Sequence, residues 1–219
     1  YDFDVCTTEG LLTRTTASDG TIALPDGMRY RMLVLEKGAR VSYMTLRHIA
    51  DLVEQGVPLW GERPVPATLT DRENVECYDL LADSLWGTPT ERGVRRFGKG
   101  HVYAGMTLAE ALMQEGIKPD MALKSGNKPD NKVYFAHRAM DKADVYFVFN
   151  HSNEVYDAAT LLRTSRRKVE RWNVVTGERF LIDGEESDGQ LKCRLSLQPQ
   201  ESCFLVAVDS SDVVSPYEA

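Results

Sequence analysis

Thiols, imidazoles, carboxylates and large aromatic rings are the side chains here that could do chemistry. Covalent catalysis needs an activated Ser or Cys on a sharp turn with a base in reach. No G-x-S-x-G occurs, and neither Cys6 nor Cys77 sits in a glycine-flanked elbow of the amidotransferase type. Gly98-Lys99-Gly100 has the glycines of a phosphate loop but lacks the further glycine and the following helix, so it is expected to be a hairpin turn. His48, His101, His137 and His151 are not spaced as a metal pair, and none has a partner motif. The carboxylates form no recognisable acid/base pair, and surface Asp and Glu are their default role. No cofactor and no metal are implied.

The aromatic residues are the strongest remaining candidates. Trp60, Trp86 and Trp172, with Tyr134, Tyr146 and Phe147, could include a platform on which a sugar ring stacks. The competing reading is core: Trp60 ends a buried strand, Trp86 ends an amphipathic helix, and Trp172 plugs a sheet pair. A large buried ring is a common way to complete a small core, so the core reading is preferred. Trp60 and Trp172 stay as the candidate carbohydrate contacts.

The elements that would position these residues change character along the chain. Residues 1–124 alternate strands and helices. "RYRMLVLE" (Arg29–Glu36) reads as a buried parallel strand. A helix opens near Ser42, carries Leu46, Ile49, Ala50 and Val53 on one face, and closes at Gly56. "VPLW" (Val57–Trp60) makes a short strand. "TDRE" (Thr70–Glu73) and "TLAE" (Thr107–Glu110) are capping boxes, in which a Thr hydroxyl and a Glu carboxylate satisfy free amides at a helix start. The first opens a helix with Tyr78, Leu81, Ala82 and Leu85 on one face; the second ends near Gly116. "VRRFGKGHVYAG" (Val94–Gly105) is strand, turn and strand. This alternation argues for a parallel-sheet α/β domain of amidotransferase or flavodoxin-like shape.

Residues 125–131, "SGNKPDN", contain no apolar residue and read as a linker. Residues 132–219 then hold short β-rich runs ("KVYFAH", "DVYFVFN", "VYDAATLL", "KVERW", "ERFLI", "LKCRLSL" and "CFLVAV") divided by turns such as Asp183-Gly184 and Asp188-Gly189. That is the pattern of an antiparallel β-sandwich.

The totals set limits on function. The chain has 219 residues, 42% hydrophobic and 27% charged, with a formal net charge of -7. The negative charge disfavours nucleic acid or an anionic membrane as partner. The one basic run, "RTSRRKVER" (Arg163–Arg171), reads as a charged strand edge that discourages strand addition. No apolar run is long enough to span a bilayer. Tyr1-Asp2-Phe3 reads as the interior of a longer protein, or as a chain whose leader has been removed. Cys6, Cys77, Cys193 and Cys203 show no zinc spacing. If Leu191–Leu197 and Ser202–Val208 formed a hairpin, Ser196 would lie opposite Cys203 and the two sulfurs would be about 10 Å apart, too far to bridge. Free buried thiols are expected.

Several phrases, taken in order, carry a family resemblance. "LPDGMRYRMLVLE" (Leu24–Glu36), "TLRHIADLVEQGVPLWGERP" (Thr45–Pro64), "FGKGHVYAGMTLAEALMQEGIKPD" (Phe97–Asp120), "HRAMDKADVYFVFNHSNE" (His137–Glu154) and "VERWNVVTGE" (Val169–Glu178) resemble the C-terminal region of bacterial α-L-rhamnosidases of glycoside hydrolase family 106. The family phrase around Trp172 reads W-(D/N)-P-x-T-G, and Val174 stands here in place of its Pro. The resemblance implies accessory domains that partner a catalytic barrel of the same polypeptide, absent from this chain, in carbohydrate degradation. It therefore implies no catalytic residue here, and a periplasmic or secreted location. The rival expectation is a carbohydrate-binding module that contacts an oligo- or polysaccharide through exposed aromatics.

Overall fold

The helix Tyr43–Glu54 shows how the sequence pattern becomes structure. Ser42 caps it by accepting the amide of Thr45 at 3.2 Å, and Gly56, at φ 117°, ends it in a conformation that favours glycine. Leu46, Ile49, Ala50 and Val53 are all buried on the expected face. The structure, a computed structural model, describes residues 1–67, 75–87, 92–125, 128–129 and 132–212. Among these the fold is mostly β, with several sheets and four helices: Thr8–Arg14, Tyr43–Glu54, Val75–Trp86 and Leu108–Gln114. Contacts divide it into two compact units, Asp4–Ile117 and Lys118–Ala219 together with Tyr1–Phe3.

In the first unit a four-stranded sheet runs in the order Leu33–Val34, Leu59–Trp60, Gly100–Ala104, Gly93–Phe97. The first three strands are parallel and the last two form an antiparallel hairpin. Parallel neighbours need a crossover, which the helix Tyr43–Glu54 supplies. The core gathers Leu46, Ile49, Leu52 and Val53 of that helix with Leu59, Tyr78, Ala82, Leu85 and Val102. The Gly98-Lys99-Gly100 turn sits against the end of the same helix, with Lys99 donating its amide to the Glu54 carbonyl at 2.9 Å. A Cβ on Gly98 would lie 2.6 Å from Glu54 backbone, and one on Gly100 would lie 2.9 Å from the Val57 oxygen. Close approach, not phosphate, accounts for these glycines. The Thr107–Glu110 capping box is present in full; the expected box at Thr70–Glu73 lies outside the described residues.

The Arg29–Glu36 run differs from expectation. Arg29–Tyr30 pairs antiparallel with Thr21–Ala23, and only Leu33–Val34 joins the parallel sheet, at its edge, where Val34 stays exposed. Arg29 and Arg31, both exposed, are incompatible with a strand covered on two faces.

The second unit has two five-stranded antiparallel sheets. One, the Tyr156 sheet, runs Lys128–Pro129, Met121–Ser125, Tyr156–Leu162, Gln190–Leu197, Gly184–Ser187. The other, the Trp172 sheet, runs Val133–Ala139, Ala143–Asn150, Ser202–Val208, Lys168–Asn173, Arg179–Ile182. One cluster joins them: Met121, Leu162, Leu195 and Leu197 from the first sheet, Val133, Tyr146, Val148, Val169 and Leu205 from the second. The seven expected β-rich runs all contain strands. Ser125 pairs with Lys128, so the described part of the expected 125–131 linker is a hairpin of this unit, and the units divide instead between Ile117 and Lys118. The hairpin considered for Leu191–Leu197 and Ser202–Val208 does not form, since their strands lie in different sheets. Cys193 and Cys203 are nevertheless free and buried.

Candidate functional site

Trp60 lies in the first unit and Trp172 in the second, each in its own surroundings. Trp60 is half-buried in its strand, and its indole N–H donates to the Met106 carbonyl at 3.0 Å. Trp86 is buried and donates to the Gly61 carbonyl at 2.9 Å, as a core tryptophan should.

Trp172 departs from the expected core position. Val169 points inward and is fully buried, so strand alternation sends Glu170 and Trp172 to the outer face, where Trp172 is 36% exposed. Its N–H donates to Glu170 Oε2 at 2.8 Å, and the guanidinium of Arg179, its partner across the strand pair, lies 5.8 Å from the ring centre. Glu170 is itself buried on this face, where the Ser211 hydroxyl donates to its other oxygen at 2.5 Å, and Asp212 pairs with Arg179 at 3.4 Å. The turn that follows Trp172 is held by Asn173, whose side-chain oxygen accepts the amides of Val175 and Thr176 at 2.9 and 3.1 Å. This Asn-anchored turn fixes the chain where the family phrase carries Pro.

A polar cluster that motif spacing does not reveal lies at one end of the second unit. His137 Nδ1 is 3.1 Å from Asp120 and its Nε2 is 3.4 Å from Asp144. Arg163 also pairs with Asp120 through its guanidinium, and Thr164 donates to Asp144 at 2.5 Å. The Tyr146 hydroxyl donates to the Arg163 carbonyl at 2.9 Å. Burial alone would raise the Asp120 carboxyl, but hydrogen bonds from His137 and Arg163 and the Arg163 charge hold it well below the usual range. Burial, reinforced by Asp144, pushes the Tyr146 phenol up. Only a doubly protonated imidazole could donate to both carboxylates. The group ties residues flanking the Tyr156 sheet to residues of the Trp172 sheet, and His137 and both carboxylates are largely shielded from solvent, so its chemistry is that of a clasp. One signal was available: Val133, Phe135 and His137 share a strand face, and Val133 is core.

The other histidines are also accounted for. His48 meets the Thr15 hydroxyl at 2.8 Å, His101 and Tyr103 share the Glu115 carboxylate at 3.1 and 2.5 Å, and His151 stacks on Tyr134. A groove of ≈ 580 Å³ crosses the Tyr156 sheet beside Asp157, Asp183, Glu185, Lys192 and Arg194. Two of its three carboxylates are tied to cations: Asp157 to Arg194 by two bonds of 2.8 and 2.7 Å, and Glu185 to Lys192 at 3.2 Å. The Arg194 bonds lower the Asp157 carboxyl, the opposite of what a general acid requires. Among the described residues no group of His, Cys, Asp and Glu could hold a metal ion.

The chain is similar to known proteins along nearly all its length. It is 26% identical over 215 residues to a putative beta-glucuronidase of Formosa agariphila, covering 96% of this chain and 17% of that protein. It superposes on the rhamnosidase from Novosphingobium sp. PP1Y with a TM-score of 0.86 at 24% identity, covering 94% of this chain and 20% of the other. The chain thus spans a fifth or less of the length of each of these two proteins. The family model described as alpha-L-rhamnosidase, glycoside hydrolase family 106, matches residues 1–183, and the chain belongs to that family.

Proposed function

We propose that this chain is a non-catalytic, C-terminal accessory part of a glycoside hydrolase. In this reading an α/β domain and an antiparallel β-sandwich support a catalytic barrel that the same polypeptide supplies outside these residues. The observation that carries it is the coverage: the match takes in 94% of this chain but only 20% of the rhamnosidase. Glycoside hydrolysis needs one carboxyl kept protonated and another ionised across the scissile bond. Asp157 and Glu185 in the groove are instead bound to cations, and Glu110 is bound in a helix cap. The longer polypeptide would act on α-L-rhamnosides, outside the cytoplasm.

The purified chain should release no chromophore from an aryl α-L-rhamnoside, while the longer polypeptide should. Turnover by the chain that survives repurification and disappears when one of its own Asp or Glu residues is changed would overturn the reading. The exposure of Trp172 favours one rival, a carbohydrate-binding module that works alone; saccharide-dependent tryptophan fluorescence in the isolated chain would support that rival.

A further inference from the structure

The two outward faces of the second unit differ in chemistry. On the Tyr156 sheet the outward register sets Asp157 opposite Ser196, Ala159 opposite Arg194 and Leu161 opposite Lys192, which pairs in turn with Glu185, a face with no aromatic ring among these residues and in which charged groups predominate. On the Trp172 sheet the outward register runs Ala136, Phe147, Phe204, Trp172, Arg179 across all five strands. Phe147 is 39% exposed and Trp172 36%, and the adjacent register adds Phe149 and Tyr134, the latter 61% exposed. A contiguous aromatic row of this kind marks a contact surface rather than a solvated face.

The ring geometry selects the kind of contact. Phe147 and Phe204 meet edge to face, with centres 5.4 Å apart and planes 60° apart, so they do not form the flat platform on which a pyranose stacks. Arg179 stands over the Trp172 ring, and the indole N–H is already committed to Glu170. Tilted rings with a polar margin of Arg138 and Arg179 have the make-up of a protein interface, apolar at the centre and charged at the rim. More than three quarters of each matched relative's length lies outside the part this chain covers.

We propose that the Phe147–Phe204–Trp172 face docks an apolar surface of another domain of the same polypeptide. This rests on the reading of the chain as part of a longer enzyme, and it names the surface by which the second unit is attached. Hydroxyl-radical footprinting of the isolated chain and of the longer polypeptide tests it. Oxidation of Phe147 and Trp172 should slow several-fold in the longer polypeptide, while Met113, 77% exposed in the other unit, serves as the reference. Equal rates for Phe147 and Trp172 in the two proteins would overturn the inference, even where the longer polypeptide hydrolyses rhamnosides and the functional reading stands. Protection in the isolated chain that follows added rhamno-oligosaccharide, or that grows with its own concentration, would also overturn it, in favour of a sugar site or a second copy.

Discussion

His137 lies flat against Tyr146, with ring centres 4.2 Å apart and planes 5° apart, and the two residues face each other across neighbouring antiparallel strands. Tyr146 reaches on to the Arg163 carbonyl, while His137 and Arg163 both hold Asp120. The stack therefore links a hydrogen-bonded strand pair of one sheet to the strand ends of the other.

Asp120 makes this clasp sensitive to acid. Its folded value lies below the unfolded one of about 3.9. As pH falls the unfolded chain takes up the proton first, so the contribution is whole above the unfolded value and is lost as pH drops through the folded one. Asp120→Asn should lower the melting temperature at neutral pH. It should also flatten the loss of stability below about pH 4, where the parent loses this carboxylate's contribution. Parallel acid limbs for parent and variant would refute the assignment.

Trp172→Ala should cost about 1–2 kcal/mol, because a half-exposed ring gives up a cation–π contact and partial burial rather than a core volume. Leu205→Ala, at a fully buried position of the same sheet, should cost about 2–5 kcal/mol. Urea unfolding of the two variants gives the comparison, and a larger loss for Trp172 would mean that the ring is packed more tightly than its exposure indicates.

Gly100→Ala should destabilise the first unit by about 2–4 kcal/mol, since the added carbon would press on backbone oxygens of Val53 and Val57 that cannot rotate away. Phosphate should not shift the melting temperature of the parent. A tolerated alanine together with phosphate stabilisation would restore the loop reading of Gly98-Lys99-Gly100.

Burial pushes the Cys193 thiol up to about 12 and the Cys203 thiol up to about 11, so neither forms the reactive thiolate near neutrality. Cys6 and Cys77 are exposed. An aromatic disulfide reagent should titrate two thiols in the folded chain and all four in denaturant. Prompt reaction of a third in the folded chain would contradict the burial of the pair.

Local order was legible in the sequence because local rules set it. The capping Ser42, the Thr107–Glu110 box and the apolar face of Tyr43–Glu54 follow from spacing alone. What escaped depends on partners distant in the chain. Met121–Ser125 is a strand because Tyr156–Leu162, more than thirty residues on, pairs with it, and the local pattern does not name that partner. Gln190–Leu197 and Ser202–Val208 look like a hairpin, yet each strand finds better partners in its own sheet. Trp172 was misplaced for a different reason: size suggested core, whereas alternation from Val169, read strictly, already set it on the other face. Asp120, His137, Asp144 and Arg163 carry no common spacing, and only the packed sheets bring them together.

The hydrogen bond from Ser211 to buried Glu170 moves the practical edge of the fold past its last strand, which ends at Val208. A chain trimmed at Val208 would keep every described strand of both sheets, yet leave a shielded carboxylate without its hydroxyl donor and Arg179 without Asp212. The residues from Asp209 to Asp212 work as a stopper over a buried acceptor, and a trimming site is better set beyond them.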